Sequence, residues 1–156
     1  MTRQQIEDII RAAQEAPSWN NLQASHYHVV MSDGVKQRLS EAFAPFDAKI
    51  CADAPAVVVM TFERGHSGFK GGEAVDELGD GWGIYDLGLH NAYFLLKATD
   101  MGLATIVLGL RDAAKIKAVL NLPEEESVVS FVAVGHRAKD AVRPKRKALE
   151  DIAKFY

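Results

Sequence analysis

The stretch from Ile84 to Met101 constrains this chain more than any other, because it reads as a helix that is apolar nearly all round. Leu87, Leu89, Ala92, Phe94, Leu95 and Leu96 are spread over its circumference, whereas a surface helix keeps one polar face. Exposed, such a helix would aggregate, so it must lie inside the domain or against a second subunit. The chain has 156 residues, which suits one domain with a real core and is small enough for any cofactor pocket to call on a neighbouring subunit. The helix therefore argues for a dimer.

The elements around it are short. Thr2 and Gln5 form a capping-box pattern, and Ile6, Ile9, Ile10 and Ala13 follow on one helical face. Tyr27, Val29 and Met31 alternate with His26, His28 and Val30 as in a strand. Ser32 and Asp33 can cap a helix that Pro45 interrupts, and a short helical piece follows around Cys51. Pro55 to Phe62 is a continuous apolar run rich in β-branched residues, as expected of a central strand covered on both faces. Thr105 to Leu108 is a short strand leading into Gly109, Asp112 can cap a helix ending at Pro123, and Val128 to Val134 is another strand. From Glu63 to Gly83 the glycines at 65, 68, 71, 72, 79, 81 and 83 exclude a long regular element and indicate a mobile loop. The tail from His136 to Tyr156 is polar and basic. With no internal repeat and no linker, residues 1–156 read as a single α+β domain. Its sheet is expected to be small, mixed and mainly antiparallel, flanked by helices.

Composition narrows the function classes. Charged residues make up 25% and the formal net charge is -3, which gives no support for nucleic-acid or membrane-surface binding. No apolar run is long enough to cross a bilayer, the start lacks a signal-peptide pattern, and Cys51 is the single cysteine, so the reading is cytoplasmic. Cys51 has no evident activating neighbour and reads as a plain buried thiol. His26 and His28 share a strand face that is expected to be exposed, without a third ligand at metal spacing. No dinucleotide-binding glycine pattern follows a strand, and no phosphate-loop Gly-Lys-Ser/Thr or nucleophile elbow is present.

Three features remain. The joint Pro17-Ser18-Trp19-Asn20-Asn21-Leu22-Gln23 places an indole among hydroxyl and amide groups able to read the edge of a flat ligand, or simply to cap a connection. At Leu108-Gly109-Leu110 a glycine at a strand end lets backbone approach a ring closely, or serves a turn. Arg143-Pro144-Lys145-Arg146-Lys147 can neutralise a phosphate, or forms a solvated basic tail.

In order and spacing these pieces resemble the nitroreductase family of flavin-dependent oxidoreductases. "EAPSWNNLQ" is similar to the family's A-P-S-x-x-N-x-Q segment, and "ADAPAVVVM" to its second strand. "YDLGLHNAYFLLKATDMGLATIVLG" is similar to its long dimer-forming helix and following strand, and "RPKRKALEDI" to its closing basic segment. The resemblance implies an intertwined homodimer holding FMN in two interfacial pockets. Pro17, Ser18 and Asn21 would line the ring from the partner subunit, Leu108 and Gly109 would pass their backbone along it, and Arg146 with Lys145 would bind the phosphate. NAD(P)H would give hydride to the flavin and leave, and an electron-poor acceptor such as a nitroaromatic or quinone would take its place, with no catalytic side chain required. Trp82 or Phe69 would cover the pocket as part of a lid, although Trp82 serves equally as an anchor of the loop. Two departures stand out: Ala24-Ser25 replaces the family's Pro-Trp, and the Arg-x-Ser-x-Arg segment that precedes the first helix in the family is not seen before Thr2. The second predicts weakened FMN binding, and keeps open a flavin-binding or flavin-free dimeric module without turnover.

Overall fold

Alternation along one strand organises the molecule. In the computed structural model, which describes residues 1–156, the elements run α1 (Arg3–Gln14), β1 (Ser25–Val30), α2 (Asp33–Ser40), α3 (Pro45–Asp53), β2 (Ala56–Glu63), β3 (Phe69–Lys70), β4 (Glu73–Ala74), α4 (Gly81–Asp100), β5 (Ala104–Leu108), α5 (Ala113–Leu120) and β6 (Glu126–Gly135). Single 3-10 turns lie at Trp19–Asn21 and Leu149–Asp151. The main sheet has the order β1-β2-β6-β5 and every pairing in it is antiparallel. The α+β architecture expected from the sequence is therefore the one observed, with the antiparallel character extending to the whole sheet.

β2 occupies the centre because both of its faces are apolar. Val57 and Val59 enter a core with Leu39, Phe43, Cys51, Ile116 and Phe131, in which the Phe43 and Phe131 rings stack 3.9 Å apart. Ala56, Val58 and Met60 enter the opposite core with Ile6, Ile9, Leu87 and Phe94. The result is three layers, with α2, α3 and α5 on one side of the sheet and α1 and α4 on the other. The capping box of α1 forms as expected, the Gln5 amide donating to Thr2 Oγ1 at 3.2 Å and the Thr2 amide to Gln5 Oε1 at 2.8 Å.

The chain buries only one face of α4. Gly83, Asp86, Leu87, His90, Phe94 and Ala98 point inward, and Gly83 meets the sheet so closely that a Cβ there would lie 2.3 Å from the Phe62 ring. On the outer face Ile84, Tyr85, Tyr93 and Leu96 are 50%, 60%, 42% and 70% exposed. The glycine-rich segment is more ordered in its path than a loop. β3 pairs with β4 around Gly71 and Gly72, whose φ values of 62° and 84° suit a tight hairpin turn.

Cys51 is buried, and burial first, then the Asp47 carboxylate, push its thiol up to about 11 against the opposing Lys36 charge. His26 and His28 do not form an exposed face. They are half-buried and lie against Glu63 and Glu126. No group of three or more His, Cys, Asp or Glu side chains is arranged to hold a metal ion, and no helix is long and apolar enough to cross a membrane.

Candidate functional site

Between α1 and β1 the chain does something costly. Asn20, Asn21 and Gln23 all take positive φ, at 48°, 55° and 54°, a region that disfavours residues with a Cβ by roughly 1–2 kcal/mol each and less for Asn. Such a segment persists only where its surroundings over-determine it. Here the Asn21 amide donates to the Ser18 carbonyl at 2.9 Å and the Leu22 amide to the Trp19 carbonyl at 3.0 Å. Ser18 Oγ accepts from the Gln23 amide at 3.0 Å, so this hydroxyl holds the joint's own shape. From outside the joint, Asp86 Oδ2 accepts from the Trp19 amide at 3.0 Å.

Asp86 is 3% exposed and the same oxygen also accepts from Ser67 Oγ at 2.7 Å. Burial of a carboxylate is tolerated because charge-assisted hydrogen bonds compensate it. Beside it opens a cavity of about 270 Å³ lined by Pro17, Ser18, Trp19, Trp82, Tyr85, Asp86 and Leu89. Trp82 is fixed at this wall, its Nε1–H donating to both Asp76 carboxylate oxygens at 3.0 and 2.9 Å and its ring meeting Tyr85 edge-on at 5.9 Å. Phe69 lies on β3 within reach of Gly79 rather than along that cavity.

The other sequence candidates lie elsewhere on the chain. Leu108 is buried at the end of β5, and Arg111 donates to the Gly109 carbonyl from Nη1 at 3.0 Å and to the Val128 carbonyl from Nε at 3.1 Å. A Cβ at Gly109 would meet nothing within 4 Å, and its φ is not positive. Lys145 and Arg146 are exposed and border a separate shallow cavity with Asp151. Within one chain, then, the joint brings together Pro17, Ser18 and Trp82, while Gly109 and the basic segment remain apart from it.

The sequence reading missed two buried groups on α4. Asp86 is one. The other is His90, whose Nδ1 lies 3.1 Å from the Tyr27 hydroxyl. Burial lowers the His90 pKa against the raising effect of Asp86, and burial raises that of Tyr27, so both shifts favour the neutral forms of the pair. A signal was available, since Asp86 is the sole acidic residue between Ile84 and Lys97 and His90 follows it one turn later.

The nitroreductase family model matches residues 43–136, more than half of the chain. A nitroreductase family protein from Clostridium novyi NT is 25% identical, with 87% of this chain and 75% of that one covered at a TM-score of 0.75. A Staphylococcus epidermidis protein assigned as an NAD(P)H:FMN oxidoreductase is 19% identical, with coverages of 100% and 86% and a TM-score of 0.86. The enone reductase CLA-ER, from gut-bacterial fatty acid saturation metabolism, is also 19% identical, with coverages of 99% and 88% and a TM-score of 0.87. The last two likenesses speak for the fold. No curated protein sequence matches significantly.

Proposed function

The chain belongs to the nitroreductase family, and from that premise we propose that it is an FMN-dependent oxidoreductase, a homodimer that takes hydride from NAD(P)H and passes it to an electron-poor acceptor by a ping-pong route. The observation that carries this reading is Gly109. Neither its backbone conformation nor packing within the chain requires a glycine there. A flat ligand lying against the end of β5 would require one, because a side chain would hold the ring off the backbone.

FMN, when bound, supplies the hydride chemistry. The chain's residues then bind, orient and exclude water. Leu108 and Gly109 offer backbone to the ring, and Lys145 and Arg146 offer positive charge to the phosphate. From the partner, Pro17, Ser18 and Asn21 form the facing wall. Because Ser18 Oγ is engaged by the Gln23 amide, its contribution is chiefly to hold that wall in shape. Trp82 closes one end of the cavity at the wall, and Phe69, which does not line that cavity within one chain, is assigned to the cover only through the glycine-rich segment that carries it. The homodimer is supported by the outer face of α4, where Ile84, Tyr85, Tyr93 and Leu96 form an apolar stripe of the kind that marks an interface.

Absorbance tests the reading. The purified protein, given FMN and desalted, is expected to stay yellow, to bleach anaerobically with NADH or NADPH, and to regain colour with a nitroaromatic, quinone or enone. A colourless protein after desalting overturns it, and a yellow protein that neither nicotinamide bleaches reduces it to a flavin-binding module.

A further inference from the structure

One buried carboxylate oxygen joins two segments that the sequence separates widely. Asp86 Oδ2 accepts from the Trp19 amide at 3.0 Å and from the Ser67 hydroxyl at 2.7 Å. Trp19 begins the strained turn that carries Asn20 and Asn21. Ser67 is 1% exposed and precedes Gly68, whose Cα approaches Trp82 so closely that a Cβ would lie 2.6 Å from its ring. Trp82 and Asp86 stand one turn apart on α4 and both line the 270 Å³ cavity with Pro17 and Ser18.

We infer that Asp86 is a positioning residue which couples the glycine-rich segment to the Pro17–Gln23 wall, so that displacement of one changes the shape and ligand affinity of the other. The inference rests on the proposed function only where it calls that ligand FMN. The physical basis is a shared acceptor that each donor helps to hold in place for the other. Two donors converge on Oδ2, and its charge strengthens both bonds in a water-poor setting. When the Ser67 hydroxyl withdraws, the carboxylate is free to rotate, and the Trp19 amide loses alignment. That amide is the one tie from outside the joint to a turn already strained at three residues. A ligand pressing on Trp82 or on the Ser67–Gly68 backbone is thereby felt at Asn20 and Asn21, which it need not touch.

The test compares Ser67→Ala, Asp86→Asn and the double variant with the wild type. It uses two readouts: the FMN dissociation constant of the full-length protein, and hydrogen exchange of the Trp19 amide in flavin-free protein. Ser67→Ala is expected to speed Trp19 exchange and weaken FMN about threefold, and Asp86→Asn about tenfold, the scale of one lost buried hydrogen bond. The double variant should match Asp86→Asn alone, because Ser67 acts through Asp86 and the effects of coupled residues are not additive. Additive losses, or Trp19 exchange in Ser67→Ala equal to wild type, overturn the coupling. Should Asp86→Asn fail to fold, the exchange readout in Ser67→Ala still decides. If the wild type binds no FMN while Ser67→Ala speeds Trp19 exchange, the coupling stands and the flavin assignment falls.

Discussion

Glu63 and Glu126 stand directly opposite each other across β2 and β6, an arrangement that is destabilising for like charges. Each is countered by histidine. His26 and His66 approach the two oxygens of Glu63 at 2.8 and 3.3 Å, and His28 approaches Glu126 at 2.6 Å. Thr61 Oγ1 donates to the same Glu126 oxygen, having been brought there past the register shift between Met60 and Thr61. The pattern gives each of the two histidines on that strand face a carboxylate partner.

The pH dependence follows from Glu126. Burial pushes its carboxyl up, but the Thr61 and His28 hydrogen bonds and the charges of His28 and His26 outweigh burial and hold it below the ordinary value. A carboxyl depressed in the folded state stabilises fully above its unfolded pKa of about 4.3 and ceases to do so as pH falls through the folded one. Acid unfolding followed by circular dichroism should therefore begin below about pH 4.3. Glu126→Gln is expected to cost about 1–3 kcal/mol at pH 7 and to flatten the acid limb. An unchanged acid limb would show that other carboxylates set it.

Two glycines should respond in opposite ways to the same methyl group. Gly83→Ala drives a Cβ to 2.3 Å from Phe62, and the overpacking cost of about 1–3 kcal/mol exceeds the helix-propensity gain of about 1 kcal/mol expected of Ala. Its melting temperature should fall. Gly109→Ala meets nothing within 4 Å, so its stability without flavin should stay within about 0.5 kcal/mol of wild type. Its FMN affinity should drop about tenfold, because the methyl enters the space assigned to the ring. Unchanged affinity would remove Gly109 from the site.

What could be read from the sequence was what repeats locally. The capping box of α1, the doubly apolar β2 and the existence of α4 all follow from patterns spanning a few residues, and all are present. The β3–β4 hairpin was not legible, since each strand is two residues long and has no periodicity to detect. Nor were the polar pairings, because the partners are far apart in sequence: 37 residues from His26 to Glu63, 98 from His28 to Glu126 and 67 from Trp19 to Asp86. At the joint, Asn20 and Asn21 are residue types that tolerate a left-handed backbone, whereas nothing about Gln23 marks it for that conformation.

The outer face of α4 gives a test of assembly. Leu96 is 70% exposed, so Leu96→Glu should leave the fold of one chain intact. At an apolar interface the same change buries an unpaired carboxylate, which costs several kcal/mol. Sedimentation should show the dimer dissociation constant rising at least about a hundredfold, with FMN retention falling in parallel. A dimer of wild-type affinity would place the interface elsewhere.

Asn21 separates the role of a side chain from that of a backbone shape. Its φ of 55° means that Asn21→Ala both removes the amide and strains the turn, so loss of FMN in that variant alone is ambiguous. Asn21→Gly removes the amide while the backbone keeps its left-handed conformation at no steric cost. If the amide contacts the flavin edge, both variants should lose about tenfold in FMN affinity, roughly one hydrogen bond. If the wall works through its shape, Asn21→Gly should bind FMN like wild type while Asn21→Ala weakens it. Titration of flavin fluorescence distinguishes the two, and the first outcome is the one expected from the residue types at the joint, where a side-chain amide is retained at a position that glycine would occupy more cheaply.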